Sequence, residues 1–238
     1  MAQRTGAIAL YAKNPDNETY GLAPILNLSG PDSKLEFSDG VAFVPPRNDY
    51  LAACNLLRGT IYFYRRVSLS PIRFAITPDF ELKHPSIYHP DGLAFSRCGT
   101  WLATANHGQH SVSIFRRRNK LLSAGRLRYG PEPVTVIKDP RLRYPHSVAF
   151  SPQTNHLVVT NAGANYFCVY AAKRHFFGMR WSQAPTVQKT VGVEAIFKAV
   201  NTENKMEGGP KGVAIHANSL AVCSPDFGVE IYSFREAV

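Results

Sequence analysis

The chain has 238 residues, 45% of them hydrophobic and 18% charged, and 27 Lys and Arg against 17 Asp and Glu give a formal net charge of +10. This composition excludes a disordered, collagen-like or coiled-coil chain and leaves enough apolar residues for a sizeable core. No run approaches the roughly 18 apolar residues of a membrane span, and residues 1–20 lack the apolar core of a signal peptide, so we predict a cytoplasmic protein without a membrane span.

Short predicted strands follow one another along the whole chain. The first two, at 7–11 and 22–28, resemble the third and fourth strands of a repeat that begins at Asp39 and recurs at Asp91, His146 and Lys211. Within the repeats, strands are predicted at 41–44, 50–54, 60–64 and 70–76, then at 93–95, 101–105, 111–115 and 133–137, then at 148–150, 156–160, 167–170 and 186–191, and finally at 213–215, 220–223 and 229–234.

Four short strands in strict succession are typical of the blades of a β-propeller. We therefore predict an all-β chain in which residues 1–238 form a single β-propeller of four-stranded blades, four or five in number. A β-sandwich would show no such repeat. Strands 7–28 could close the ring against the last blade, but a larger ring cut short, or an incomplete ring completed by a second chain, fits the count equally well.

The repeats also resemble a known group of proteins. HPDGLAFSRCGTWLATAN in the second repeat, and HSVAFSP, HLVVTN and YFCVY in the third, are similar to the YVTN-type repeats of lactonase-like propellers, which are related to NHL and gluconolactonase propellers. The resemblance covers residues 39–238 and implies the propeller fold. It implies less about function, because these repeats occur in binding scaffolds as well as in hydrolases.

The propeller interpretation separates the charges onto two faces. The turns between third and fourth strands are basic in every repeat, and with the first-to-second turns they define what we call the basic face; its predicted anion-binding residues are Arg65, Arg66, Arg116, Arg117, Arg118, Lys173 and Arg174. Ten carboxylates are predicted on the opposite face: Asp32, Glu36, Asp39, Asp79, Glu81, Asp91, Asp139, Glu203, Glu207 and Asp226. The basic face would dock an anionic partner, or its cations serve only solubility and protection of strand edges.

On the opposite face, residues that flank the innermost strands should surround the mouth of the central channel. Three polar residues precede inner strands, and three asparagines end second strands; this predicted ligand-binding set comprises Asp39, Asp91, His146, Asn55, Asn106 and Asn161. Asp39, Asp91 and His146 would suit Ca²⁺, or Zn²⁺ with more nitrogen ligands. The alternative is that these residues cap their own turns through side-chain hydrogen bonds to the backbone.

Five of the eight histidines surround the second and third repeats, at His84, His89, His107, His110 and His146. Histidine binds metals and titrates near neutral pH, so three of them together would form a site. The alternative is that they are exposed loop residues without a role. His107 with His146 is the pair to test for such a shared site, and His107 belongs to the predicted ligand-binding set.

The chain has no GxSxG, HExxH, Walker or dinucleotide-binding motif. The leading hypothesis is therefore a binding or assembly module with an unknown ligand, and the alternative is a metal-dependent lactonase-like hydrolase at the channel mouth. Sequence-specific nucleic-acid binding is not expected, because no aromatic residues alternate with the basic ones. Self-association through the edge strands at 7–11 and 229–234 is a third prediction.

Cysteine placement favours a reducing compartment. Cys54 and Cys223 fall at corresponding second-strand ends and Cys168 in a third strand, so we predict small buried apolar residues there. The wide spacing of all four cysteines, Cys98 included, excludes a CxxC motif or a local zinc knuckle.

Overall fold

The described strands form five antiparallel sheets that follow one another along the sequence, and they confirm the predicted all-β propeller. The computed structural model describes residues 6–17, 19–118, 126–153, 155–175, 178–192, 208–225 and 228–234. Three sheets, which we call blades A, B and C, contain four successive blade strands. A two-stranded N-terminal sheet precedes them, and a three-stranded blade D follows them. No helix in the described residues is long and apolar enough to cross a membrane.

The N-terminal sheet pairs β1 (Ile8–Leu10) with β2 (Leu26–Leu28), inside the two segments predicted from the sequence. At the other end of the chain, blade D consists of β17 (Gly212–His216), β18 (Ser219–Ser224) and β19 (Gly228–Ser233). In the described residues, β1 pairs only with β2 and β19 only with β18. Both segments proposed as edge strands therefore lie at sheet edges.

Blade A contains β3 (Ser38–Phe43), β4 (Tyr50–Asn55), β5 (Thr60–Leu69), β6 (Ile72–Phe74) and β7 (Phe80–Lys83). The prediction of a fourth strand at 70–76 needs correction, because β6 lies there but pairs only with the far end of β5. The outer strand of the blade is β7, which pairs with the first half of β5. The physical reason is the length of β5, which continues beyond the blade. The chain therefore turns outside the blade, forms β6 there, and must return before β7 can complete the blade.

Blade B contains β8 (Pro90–Phe95), β9 (Trp101–Asn106), β10 (Ser111–Arg116) and β11 (Thr135–Lys138), in that order from the channel outward. The predicted strand at 133–137 coincides with β11 apart from its boundaries. Strands β9 and β10 are buried on both faces, because neighbouring blades cover both sides of the sheet. This explains why their sequences are continuously apolar or small rather than alternating.

Blade C contains β12 (Pro145–Phe150), β13 (His156–Asn161), β14 (Tyr166–His175), β15 (Gly178–Trp181) and β16 (Val187–Thr190). Strand β16 confirms the predicted fourth strand at 186–191. Strand β15 was not predicted: it pairs with the second half of β14 and forms a hairpin that extends beyond the blade.

Apolar side chains between neighbouring sheets form the core. In β4, Leu51 and Ala53 pack toward the N-terminal sheet, whereas Ala52 and Cys54 pack toward blade B. Equivalent clusters join blade B to C and blade C to D. The described residues thus form four inter-sheet clusters for five sheets, and none of these clusters joins the N-terminal sheet to blade D. The sheets form an open arc in the described part of the chain.

The outer surface of blade D shows one end of this arc. Val229 and Ile231 are 65% and 73% exposed, although the residues in equivalent positions of blade B, Val112 and Ile114, are 0% exposed. The prediction that Cys223 is buried is wrong for the same reason, because it lies on this uncovered face. The predictions for Cys54 and Cys168 are confirmed.

The inner strand of blade A shows the other end. Val41 and Phe43 are 50% and 44% exposed, whereas Val148 and Phe150 at the same positions of β12 are 3% and 8% exposed. Val148 and Phe150 face the inner strands of the preceding blade. In the described residues, the N-terminal sheet has only the two strands that resemble outer strands, so nothing there covers Val41 and Phe43.

Candidate functional site

A β-bulge lies at the beginning of the inner strand in blades A, B and C, where the pairing register shifts. These bulges contain Asp39, Asp91 and His146, the predicted ring residues. Adjacent inner strands nearly touch here: a Cβ on Gly40 would lie 2.5 Å from the carbonyl oxygen of Asp91, and only glycine fits. Bulges of this kind re-aim side chains near functional sites.

Asp91 is the centre of the resulting cluster, with a relative exposure of only 4%. Its Oδ2 lies 3.3 Å from Nδ1 of His107 and 3.6 Å from Nε2 of His146. His107 begins a short 3-10 helix directly after β9, which places its ring over the inner strands. A buried carboxylate requires such partners, because leaving water without them costs several kcal/mol.

The two carboxyl groups of the cluster titrate differently. Partial burial, a hydrogen bond with Asp91 and the charge of Asp91 together raise the pKa of Asp39 to about 7. Burial acts to raise the pKa of Asp91 as well, but His107, His146 and Asp39 outweigh it and hold that pKa below its ordinary value. Asp91 is therefore the ionised member, and protonated Asp39 donates a hydrogen bond to it.

The structure thus brings together Asp39, Asp91, His107 and His146, and we call these four residues the axial cluster. Lys211, which precedes the inner strand of blade D, is close enough to Asp39 for its charge to lower the pKa of that carboxyl. A carboxyl that changes protonation near neutral pH can act as a general acid or base toward a bound hydroxyl or ester.

The other predicted ring residues lie elsewhere. Asn55, Asn106 and Asn161 have no exposed surface, so they lie inside the blades rather than where a ligand could reach them. The amide of Asn55 donates to the carbonyl oxygen of Lys34 at 2.7 Å, and Oδ1 of Asn161 accepts from the backbone of Arg143 at 2.9 Å. Both contacts tie the end of a second strand to the preceding connection rather than to the turn that follows the strand.

The other three histidines of the predicted group have partners outside the axial cluster, although burial and the nearby charge of His107 both lower the pKa of His110. His84 contacts Glu132 at 2.9 Å, His89 stacks on Tyr88, and His110 accepts a hydrogen bond from the backbone of Tyr144. The ring centroids of His107 and His146 lie 6.5 Å apart.

Within the part of the chain that the structure describes, no group of three or more His, Cys, Asp or Glu side chains is arranged to hold a metal ion. The contacts of Asp39, Asp91 and His146, the predicted Ca²⁺ or Zn²⁺ ligands, show the reason. Both the imidazole of His146 and the carboxyl of Asp39 are directed at Asp91, so their polar atoms satisfy one another instead of converging on a common point. This arrangement does not fit a metal.

Basic side chains are exposed at the ends of the third strands. Arg65, Arg116, Lys173 and Arg174 are exposed there, and within the described residues none of them forms an ion pair. Arg66 differs, because it pairs with Asp49 at 2.6 Å. The third-strand ends of blades B and C line one cleft with the first-to-second turns, as the propeller interpretation requires.

The backbones of Arg117 and Arg118, the other two predicted residues of the basic face, are held in the loop after β10. Arg117 forms an isolated bridge with Tyr129, and the backbone of Arg118 donates to the carbonyl oxygen of Arg128 at 2.9 Å.

The assignment of acidic residues to the opposite face needs one correction. Asp79 accepts a hydrogen bond from the hydroxyl of Tyr50 at 3.0 Å and lies 3.4 Å from Arg128, both at the basic face. The cause is the misplaced fourth strand, because Asp79 precedes β7 instead of following it. Glu203, Glu207 and Asp226 lie outside the described residues. On the opposite face, the carboxylates of Glu36 and Asp139 pair with Arg58 and Arg141.

Comparison with known proteins identifies the fold and nothing narrower. No protein-family profile matches the chain, and no curated protein matches it. Among solved structures, a Bacteroides uniformis protein provisionally described as a 6-phosphogluconolactonase is similar to 98% of this chain and 64% of its own length, with 14% identity and a TM-score of 0.64.

Two further structures illustrate the range of similar propellers. The periplasmic gluconolactonase PpgL of Pseudomonas aeruginosa has 16% identity and a TM-score of 0.59, over 98% of this chain and 61% of its own length. The β-propeller domain of Cps50 (Swd1) from Myceliophteria thermophila has 13% identity and a TM-score of 0.57, over 89% and 61%. The chain therefore has the fold of lactonase-like β-propellers and spans less than two thirds of the length of these three structures.

Proposed function

We propose that this chain is a β-propeller binding module that docks an anionic partner on its basic face. The observation that carries the proposal is a group of exposed cations on this face. Arg65, Arg116 and Arg174 have no ion pair in the described residues, although Arg66 and Arg128 on the same face pair with Asp49 and Asp79. Unpaired cations gathered on one side create a positive potential that attracts anionic surfaces.

Charge reversal on each face tests this proposal. Arg65→Glu, Arg116→Glu and Arg174→Glu together should lower the salt concentration for elution from a heparin column by half or more. The matched control, Lys34→Glu with Arg58→Glu and Arg141→Glu, changes the net charge equally on the opposite face and should elute close to the wild type. Equal shifts of the two triple variants would show that only net charge matters and would contradict the proposal.

Hydrolysis at the axial cluster is the second candidate function. It is favoured by one specific observation: the Asp39 carboxyl titrates near neutral pH and lies beside the ionised carboxylate of Asp91. In this role, Asp39 would transfer a proton to or from a bound ester, and the hydrogen bond with Asp91 would hold the Asp39 carboxyl in place. Turnover of a panel of sugar-derived lactones, lost in Asp39→Asn, would support the candidate, and lack of turnover by the wild type would end it.

A further inference from the structure

A cleft of about 910 Å³ lies at the basic face between blades B and C. Its lining residues come from the first-to-second turns and third-strand ends of both blades, from Trp101 at the beginning of β9, and from Gly178 and Met179 in β15. A compartment of about 360 Å³ continues it toward β11 and shares Trp101, Arg116 and His175 with it. Each volume lies in the range of about 300 to 1,000 Å³ that is typical of ligand sites.

The hairpin of β14 and β15 forms one wall of this cleft. Strand β14 carries Arg174 and His175 beyond the blade, and β15 returns from Gly178, whose φ of +135° favours glycine. Arg180 in β15 therefore lines the same compartment as Arg116 of blade B. Arg174 was predicted from its place in the basic turn, whereas Arg180 was not, because no signal in the sequence indicates that the chain turns back at Gly178.

Trp101 forms part of the opposite wall. It is 6% exposed and packs in the core between blades B and C, so its position is fixed by the fold. The guanidinium of Arg116 lies 5.7 Å from the centroid of its ring, a cation–π contact that holds the charge over the cleft.

The charge of the cleft is of one sign. Arg116, Arg174 and Arg180 line its two compartments together with His175, and no Asp or Glu is among the described lining residues. Like charges at such a site repel one another, and an anionic ligand would relieve this repulsion. Arginine forms bidentate hydrogen bonds with carboxylates, which adds direction to the attraction.

We propose that this cleft binds an acidic peptide segment of a partner protein, with glutamate or aspartate side chains at the arginines and an apolar side chain between them. The apolar position is provided by Met179 and by Val134, which is 46% exposed. A nucleic acid fits less well, because Arg116 already covers the face of Trp101 on which a base would stack. This inference rests on the proposed anionic partner and assigns it a place and a chemical class.

Binding of a labelled octapeptide in which glutamate alternates with leucine tests the inference. Arg116→Ala with Arg174→Ala should weaken its binding at least tenfold in fluorescence anisotropy. The matched control is Arg47→Ala with Arg73→Ala, which removes two exposed arginines of blade A that lie outside the cleft and should change binding less than twofold. A peptide with glutamine in place of glutamate should not bind.

Cys98 provides a second readout, because it is exposed and lines the cleft. Burial acts to raise its pKa, but hydrogen bonds with Thr100 and Ser96 outweigh it and hold the pKa below the ordinary value, which favours reaction with maleimide. The peptide should slow the labelling of Cys98 several-fold and leave exposed Cys223 in blade D unaffected.

The outcomes separate this inference from the proposed function. If both double variants weaken peptide binding equally and Cys98 is not protected, the basic face binds anions but the cleft is not the site. If single-stranded oligothymidine protects Cys98 and the peptide does not, the peptide assignment is overturned. If the wild type also fails to bind heparin, the proposed function falls together with the inference.

Discussion

The pair of Asp39 and Asp91 shows how the same residue type takes two roles within a few ångströms. Asp91 is enclosed by His107 and His146, which stabilise its ionised form. Asp39 meets the resulting negative charge and keeps its proton to a higher pH. The difference arises from the neighbouring side chains and not from local sequence, since both residues precede glycine at the beginning of an inner strand.

This pair predicts how stability depends on pH. The pKa of Asp39 is raised from 3.8 to about 7 in the folded protein, so its contribution to stability is complete below about pH 4 and is lost as the pH rises through 7. Asp39→Asn keeps the shape without the charge and removes this loss. Its stability relative to the wild type should therefore increase by about 1 kcal/mol between pH 5 and 8, a value reduced for solvent screening at a partly exposed carboxyl.

Thermal unfolding of both proteins across this pH range measures the effect. The control is Asp32→Asn, which removes one carboxylate from an exposed position of the connection that precedes β3. Parallel pH profiles for the wild type and Asp39→Asn would show that Asp39 titrates at its ordinary pKa. The titration of Asp91 does not affect this comparison, because its lowered pKa places that titration at a more acidic pH.

At the scale of the strand and the turn, the sequence predicts the repeated inner three strands well. The apolar segments around Leu93, Val148 and Val213 become inner strands, and the residues before them, Asp91 and His146, become neighbours because each repeat places them at an equivalent bulge. Equivalence by repeat is a geometric signal, and it predicts Asp39, Asp91 and His146 at the same end of adjacent inner strands. It does not predict that Asn55, Asn106 and Asn161 are fully buried, because equivalence by repeat carries no information on burial.

The connections between third and fourth strands escaped prediction, although they follow a common rule. In each complete blade, this connection places an aromatic residue in the core shared with the preceding sheet: Phe74 in blade A, Tyr129 in blade B and Trp181 in blade C. The three segments differ in length and sequence, so no periodicity relates them. The contacts that fix them are long-range, and the cleft beneath the β14–β15 hairpin could not be predicted for that reason.

At the scale of the whole molecule, the uncovered sheet surfaces are the main departure from a closed propeller. A closed ring would bury the positions of Val229 and Ile231, as it buries Val112 and Ile114 within blade B. Exposed apolar sheet surfaces next to an unpaired edge strand favour association with another chain. The described structure therefore gives the predicted self-association a specific surface, the outer face of blade D.

Val229→Lys with Ile231→Lys tests this surface. The wild type should show a mass that rises toward that of a dimer with increasing concentration in light scattering, and the variant should remain monomeric. Both positions are exposed, so the substitutions should change the free energy of unfolding by no more than about 0.5 kcal/mol each. His216→Lys with Asn218→Lys adds the same charge to an exposed turn of blade D and should associate like the wild type. A wild type that stays monomeric at all concentrations would exclude self-association through this face.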